Sequence, residues 1–219
     1  MRKEINLLDA YPKAIRDYDR RAQEKTPEVI RIAKQFNKAF FDGERKYGYG
    51  GYKYDGRWKS VVKRMTDYYY LPDDAAILDI GCAKGFMLHE FKELMPRATI
   101  AGIDISKYAI ASAMPAVKDF LKVGSAEKLP YPDRSFDLAV SINSIHNLPL
   151  ERLKVALKEI QRVCRKDSYI TLDAWRNERE RQNLLKWVLT AETMMHVDDW
   201  KKLFGEVGYT GDYWWFIAD

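Results

Sequence analysis

Residues 77–86 read ILDIGCAKGF. Ile77, Leu78 and Ile80 enclose one acid, and small residues follow. The segment predicts a buried strand that ends at Asp79, turns through Gly81 and Gly85, and enters a helix at Phe86. Small residues let the backbone turn sharply and let a ligand approach the main chain. The first amides of the helix then face that ligand. Taken alone, the pattern also fits a plain strand–turn–helix connection that needs glycine.

Outward from this turn, short apolar runs alternate with helical stretches. TIAGID (99–104), LKVGS (121–125), FDLAVSI (136–142), SYITLDA (168–174) and DYWWFIA (212–218) read as strands, after AAILDI (75–80). Phe86–Leu94, a helix starting at Tyr108, Glu151–Cys164 and Asp198–Val207 read as the helices between them. This rhythm predicts an α/β fold: a doubly wound, mostly parallel sheet covered on both faces. Upstream, Thr26-Pro27-Glu28 is a helix start. Apolar residues from Val29 to Phe40 follow at helical spacing, and a second start near Asp9 leads to Ala14, Ile15 and Tyr18. Residues 42–58, DGERKYGYGGYKYDGRW, hold five glycines and four tyrosines and predict a loop. Helix resumes over 59–70. The chain thus divides into N-terminal helices with a Tyr/Gly-rich, lid-like loop (1–58) and a ligand-binding domain (59–219).

Composition narrows the classes. At 219 residues and 47% apolar content, one domain can bury a substantial core. No apolar run is long enough to span a bilayer, and the N-terminus lacks a secretory h-region. Cys82 and Cys164 make neither a disulfide framework nor a metal quartet, so a reducing cytoplasm is expected. The net charge of +5 suits nucleic acid, an acidic small substrate, or solubility alone. No RNP motif or GXXG loop accompanies it.

Two further features single out a nucleotide-like ligand. Asp104 ends the second long strand, about 20 residues past the glycines, where an acid accepts hydrogen bonds from ribose hydroxyls. Preceding Ile105-Ser106-Lys107, it also fits a helix cap. Ser125-Ala126-Glu127 follows the short strand and leads into a Pro-rich loop, and a later strand ends at Ser141-Ile142-Asn143. The glycines are spaced G-x-x-x-G, not the G-x-G-x-x-G of an NAD-linked dehydrogenase.

Together, ILDIGCAKGF, Asp104, SAEKLPYPDRSFD, SINSIHNL and LKEIQRVCRKDSYITLDA resemble class I S-adenosylmethionine-dependent methyltransferases over residues 75–165 and just beyond. The resemblance implies S-adenosylmethionine as cofactor. It implies a cofactor set of Asp79, Gly81, Ala83, Gly85, Asp104, Ile105, Ser125, Ala126 and Asn143. Ala83 replaces the family's middle glycine, Ser125 stands where an acid often precedes Ala126, and Arg165-Lys166-Asp167 replaces a Pro-Gly turn. One strand after the last helix stands where the family often has a hairpin. Transfer by in-line displacement needs alignment of acceptor and methyl donor, and a base for a hydroxyl or protonated amine.

His146, just past the fourth strand, is the candidate base, with helix-start or packing as its alternative role. Tyr49, Tyr52 and Arg57 of the lid-like loop, and His196, are the candidate substrate contacts. Asp173, His146, Asp198 and Asp199 show no diagnostic metal spacing, and no metal is expected. The expected acceptor is a small molecule, with a faint likeness to enzymes of sugar or glycan precursors. RNA or protein methylation, and a non-catalytic cofactor-binding module, are the alternatives. No membrane partner is expected.

Overall fold

The computed structural model describes residues 2–12 and 15–219, and its elements follow the local chemistry of the chain. Asp17 accepts the Arg20 amide and starts α1 (Tyr18–Glu24). Thr26 accepts the Val29 amide ahead of Pro27 and starts α2 (Pro27–Ala33), as Thr-Pro-Glu predicts. The helical run expected to reach Phe40 breaks at Phe36, whose φ is +45°. Asn37 then caps a separate α3 (Lys38–Asp42). No helix starts near Asp9 among the described residues. Ala14, expected on it, lies outside them, and Ile15 is exposed.

After α4 (Lys59–Tyr68) the alternation begins. It runs β1 (Ala76–Ile80), α5 (Phe86–Leu94), β2 (Thr99–Asp104), α6 (Lys107–Ala111), β3 (Leu121–Val123) and β4 (Phe136–Ile142). It continues through α7 (Leu150–Val163), β5 (Cys164–Trp175), α8 (Glu178–Trp187), β6 (Met195–His196), α9 (Val197–Glu206) and β7 (Asp212–Ile217). The helix α8 and the two-residue β6 were not expected. Only Glu180 and Leu184 of α8 are buried, so its apolar periodicity is weak; Asn177, accepting the Glu180 amide, was the available start signal.

The seven strands form one sheet in the order β3-β2-β1-β4-β5-β6, with β7 also on β5. Each of these pairings is parallel. Alternate residues serve opposite layers. Leu78, Ile80, Ala139, Ile170 and Leu172 pack with α7 and α9, through Leu153, Leu157, Trp200 and Phe204. Ile77, Leu138, Val140 and Tyr169 pack with α4 and α5, through Val62, Met65, Leu88 and Phe91. The helix α7 passes straight into β5. Where a Pro-Gly turn is absent, Arg165 donates to Asp137 at 2.7 Å. That ion pair and the Ala76 amide pull the buried Asp137 carboxyl down to about 2.

One strand follows α9, as expected. The other edge of β7 takes the start of the chain: Ile5 N–H donates to Tyr213 O at 2.9 Å, and Tyr213 N–H to Lys3 O at 3.0 Å. Leu7 is fully buried, and its amide donates to Tyr169 Oη at 3.1 Å. The N-terminal segment is therefore part of the core. Leu7→Ala is expected to cost about 2–4 kcal/mol, the range for a buried leucine. Urea unfolding measures it, and a loss under about 1 kcal/mol would mean the segment only rests on the surface.

Candidate functional site

The topological switch lies between β1 and β4, whose neighbours run outward in opposite directions. Open α/β sheets bind ligands there, beyond the carboxyl ends of the strands. A cavity of about 440 Å³ occupies this position. Gly81, Ala83, Asp104, Ile105, Ser125, Ala126, Asn143, His146 and Tyr49 line it, from five separate stretches of chain. Asp79, next to last in β1, and Gly85, the N-cap of α5, also expected in the cofactor set, do not line it.

The glycine turn has its shape for steric reasons. Gly81 has a φ of +83°, and a Cβ there would overlap Ser144 Oγ. Gly85 has a φ of +77°, and its Cβ would stand 2.8 Å from Val117 Cγ2. Ala83 takes the left-handed region too, at +50°, a conformation strained for any residue with a Cβ. Asp104 holds it there: the Ala83 N–H donates to Asp104 Oδ2 at 2.8 Å, and the Ser106 N–H to Oδ1 at 2.8 Å. Ser106 itself caps α6 through the Ala109 amide. Cys82 is buried, and burial pushes its thiol up, away from nucleophilic chemistry.

Burial raises the Asp104 carboxyl, while the Ser106 and Ala83 amides lower it. Asp79 is pushed up to about 8, by burial and then by the charge of Asp104. Two carboxyls in one low-dielectric corner repel, so one keeps its proton near neutrality.

Asn143, at φ +48°, donates its N–H to Thr171 Oγ1 at 2.9 Å, while its Oδ1 accepts from that hydroxyl at 2.8 Å. Ser125 Oγ donates to Glu127 at 2.9 Å, and Glu127 binds Arg152 at 2.6 Å. His146 and Asp173 form a buried pair. The Asp173 N–H donates to His146 Nδ1 at 3.3 Å, and Nε2 stands 3.6 Å from Asp173 Oδ2. With Nδ1 accepting, the neutral ring carries its proton on Nε2. Burial lowers His146 below the usual histidine range against the pull of Asp173. Burial also raises Asp173, against the pull of His146 and Arg16.

The Tyr/Gly-rich loop is docked. Tyr49 and Gly51 donate backbone bonds to Phe40 and Phe41. Tyr52 stacks on Phe86 at 4.9 Å, and Tyr54 Oη donates to Glu90 at 2.7 Å. Lys84, in the glycine turn, donates to both Asp42 carboxylate oxygens (2.8 and 2.7 Å) and to Tyr52 O (2.9 Å). Gly48 and Tyr49 reach the cavity; Tyr52 and Arg57 do not. Arg57 instead binds Asp55 and contacts Tyr11. His196 also lies off the cavity. Its Nδ1 accepts from Asp198 N at 3.2 Å as the cap of α9, and its Nε2 meets Arg176 O at 3.1 Å. Residue type suggested contact for these three; their polar groups, or for Tyr52 its ring, are committed elsewhere. The cavity also takes Arg21, Arg45, Ser144, Asp173, Trp187, Thr190 and Phe216, which sequence reasoning did not assign. Their shared signal exists only in space, since they come from both ends of the chain.

Among the described residues, no group of three or more His, Cys, Asp or Glu is placed to hold a metal ion. No helix among them is long and apolar enough to cross a membrane.

Raised Asp79 sets a pH dependence with a definite sign. Its folded value exceeds the unfolded one, so its contribution to stability is full below about pH 4 and is lost as pH rises through about 8. Asp79→Asn removes that loss. Its melting temperature relative to wild type is expected to climb between pH 5 and pH 9, by several degrees. A flat difference across that range in thermal scans would contradict the assignment.

Residues 78–172 match the protein-family profile described as a methyltransferase domain. The chain is 33% identical to the tRNA (carboxymethyluridine(34)-5-O)-methyltransferase of Arabidopsis thaliana, over 66% of this chain and 34% of that protein. It is 29% identical to the fatty-acid O-methyltransferase of Mycolicibacterium smegmatis, over 51% of this chain and 40% of that protein. It thus spans only about a third to a half of the length of these relatives. The YcgJ protein of Bacillus subtilis shares the fold, with a TM-score of 0.53 at 20% identity, over 67% of this chain and 66% of that one. With its switch-point cavity, glycine turn and strand-end acid, the chain has the Rossmann-like fold and is similar to class I S-adenosylmethionine-dependent methyltransferases, with residues 78–172 matching their methyltransferase-domain profile.

Proposed function

We propose that the chain transfers a methyl group from S-adenosylmethionine to a small-molecule acceptor. The observation that carries this reading is Asp104, whose two oxygens are each fixed by a backbone amide at the wall of the switch-point cavity. Each oxygen keeps lone-pair capacity for a ribose hydroxyl. The residues present fit the cofactor. Gly81 and Ala83 bring bare backbone to the cavity, Ser125 and Ala126 wall the side beyond β2, and Asn143 keeps its Nδ2 for a polar partner. The cavity volume lies within the range of small-molecule sites. When bound, the cofactor supplies a methyl group on a sulfonium, open to in-line displacement. The chain's own part is to align the acceptor and exclude water.

His146 acts with Asp173. The Nδ1 lone pair of His146 is used by a backbone amide, so the proton leaving the acceptor goes to the Asp173 carboxylate. His146 orients that carboxylate. The Tyr/Gly-rich loop serves as the lid, with Tyr49 as its cavity-facing residue and Lys84–Asp42 as its latch. The relatives named above act on tRNA and on fatty acid, and neither name points to a sugar. The tRNA relative and the net charge of +5 favour one second reading, an RNA acceptor. Binding of tRNA that weakens steeply between low and moderate salt would support it.

Calorimetric titration with S-adenosylmethionine and S-adenosylhomocysteine, with NAD as control, tests the cofactor. Asp104→Ala is expected to weaken both adenosyl ligands by about tenfold or more, the worth of a charge-assisted hydrogen bond. Unchanged affinity would refute the site. With an acceptor in hand, Asp173→Asn should lower turnover by about 10²–10⁴-fold, the usual scale of a general base. Because the active form is the carboxylate, wild-type turnover should fall as pH drops through the raised value of Asp173. A wild-type acid limb that survives in the variant would assign the base elsewhere.

A further inference from the structure

Three arginines gather on one indole. The guanidinium carbons of Arg16, Arg21 and Arg45 stand 5.6, 5.5 and 5.4 Å from the ring centre of Trp187. Arg16 also lies 4.6 Å over Phe216. Among the described residues, none of the three has a carboxylate within ion-pair distance. Arg21 is 8% exposed, a degree of burial that arginine seldom reaches unpaired. Burial, then the neighbouring Arg45, lower its pKa. The nearby acids are engaged: Glu24 with Arg20 at 3.1 Å, and Asp173 with His146. Arg21 spends Nε on Trp187 O (3.2 Å) and Nη1 on the carbonyls of Arg45 (3.2 Å) and Lys46 (3.0 Å). Among the described residues its Nη2 has no partner, and Arg45 donates only from Nη1, to Gly48 O. Arg21, Arg45 and Trp187 all line the cavity.

We propose that this cluster is an anion subsite, and that the acceptor carries a carboxylate or phosphate seated on Arg21 and Arg45 beside Trp187. The reading rests on the methyltransferase function proposed above and names the chemistry of its acceptor. Uncompensated guanidinium donors in a low-dielectric wall favour an oxyanion strongly, and their fork geometry suits carboxylate and phosphate alike. Position separates the subsite from the cofactor. Asp104 ends β2, whereas Phe216 lies on β7 and Trp187 ends the helix that follows β5. In the order β2-β1-β4-β5-β7, four strand spacings of about 4.8 Å put Phe216, and the guanidinium over it, about 19 Å from the strand of the ribose acid. Asp173, at the end of β5, stands between the cluster and the switch point. Val188, Leu189 and Phe216 give the subsite an apolar flank, so the anion is attached to an apolar body.

The test is calorimetry on the full chain saturated with S-adenosylhomocysteine. The probes are phenylacetate, phenyl phosphate and uncharged phenylacetamide. At least one anionic probe should bind about tenfold more tightly than the amide, and Arg45→Gln should erase that advantage. The stronger of the two anions identifies the head group. Arg21→Gln should act likewise, but it also removes bonds to three backbone carbonyls. Arg45→Gln and Arg16→Gln therefore carry the test if that variant does not fold. S-adenosylhomocysteine affinity should stay unchanged in all three variants. Equal binding of amide and anions, or anion binding indifferent to Arg45→Gln, would overturn the proposal. So would a loss of S-adenosylhomocysteine affinity in the arginine variants, because the cluster would then hold the cofactor's own carboxylate. If the wild-type chain fails to bind S-adenosylhomocysteine, the same titrations on the free chain separate the two readings. Arginine-dependent anion binding would keep the subsite while the methyltransferase reading falls.

Discussion

A hydrogen bond 2.8 Å long, from the Ala83 amide to Asp104, joins the two parts of the sheet that make a binding site. It holds a non-glycine residue in the left-handed region, and so sets the path of the turn between β1 and α5. The same carboxylate fixes the start of α6 through Ser106. Because one side chain organises both loops, the cavity wall above β1 and β2 is preorganised and needs no ligand to form it. The cost is electrostatic. Asp104 is buried beside Asp79, and the second acid is driven toward its neutral form. A site built this way is poised for a ligand that brings positive charge or hydrogen-bond donors.

Around that bond the walls differ in origin. The floor comes from strand ends, rigid because their neighbours are parallel strands buried on both faces. The roof comes from Phe36, α3 and the loop after it, latched by Lys84 to Asp42 and by aromatic contacts such as Tyr52 on Phe86. The latch residue sits within the glycine turn itself. Roof and floor are thus coupled: a change in the turn moves Lys84, and Lys84 carries the roof.

What could be read from the sequence follows from what is local. ILDIGCAKGF and TIAGID declare themselves because apolar strands, small turn residues and a strand-end acid are contiguous. Thr26-Pro27-Glu28 declares α2 for the same reason. The break at Phe36 was hidden, since no glycine or proline marks it and a positive φ at phenylalanine is a product of tertiary packing. The helix α8 was hidden because only two of its residues are buried. His146 was legible as a residue near the chemistry, but its bond to the Asp173 amide was not, since nothing in the spacing fixes which ring nitrogen is occupied. Trp187 lies more than 140 residues from both Arg21 and Arg45 along the chain, beyond the reach of any motif. Tyr52, Arg57 and His196 show the converse: their types invite a functional role, and local partners absorb them first.

The pairing of Lys3 and Ile5 with Tyr213 has a consequence for how the molecule comes into being. During synthesis the first residues leave the ribosome long before β7 exists. They must wait, unpaired, for the last strand. The central strands can assemble earlier, since each is close in sequence to a neighbour. Pairing residues 3–5 with β7 closes a long loop, which costs more entropy than pairing neighbouring strands. Arg16, of the arginine–tryptophan wall, lies over Phe216 of β7. A chain stalled short of its last turn would therefore own a glycine turn and a strand-end acid, yet have no complete pocket. Assembly of that wall is thus tied to the arrival of β7.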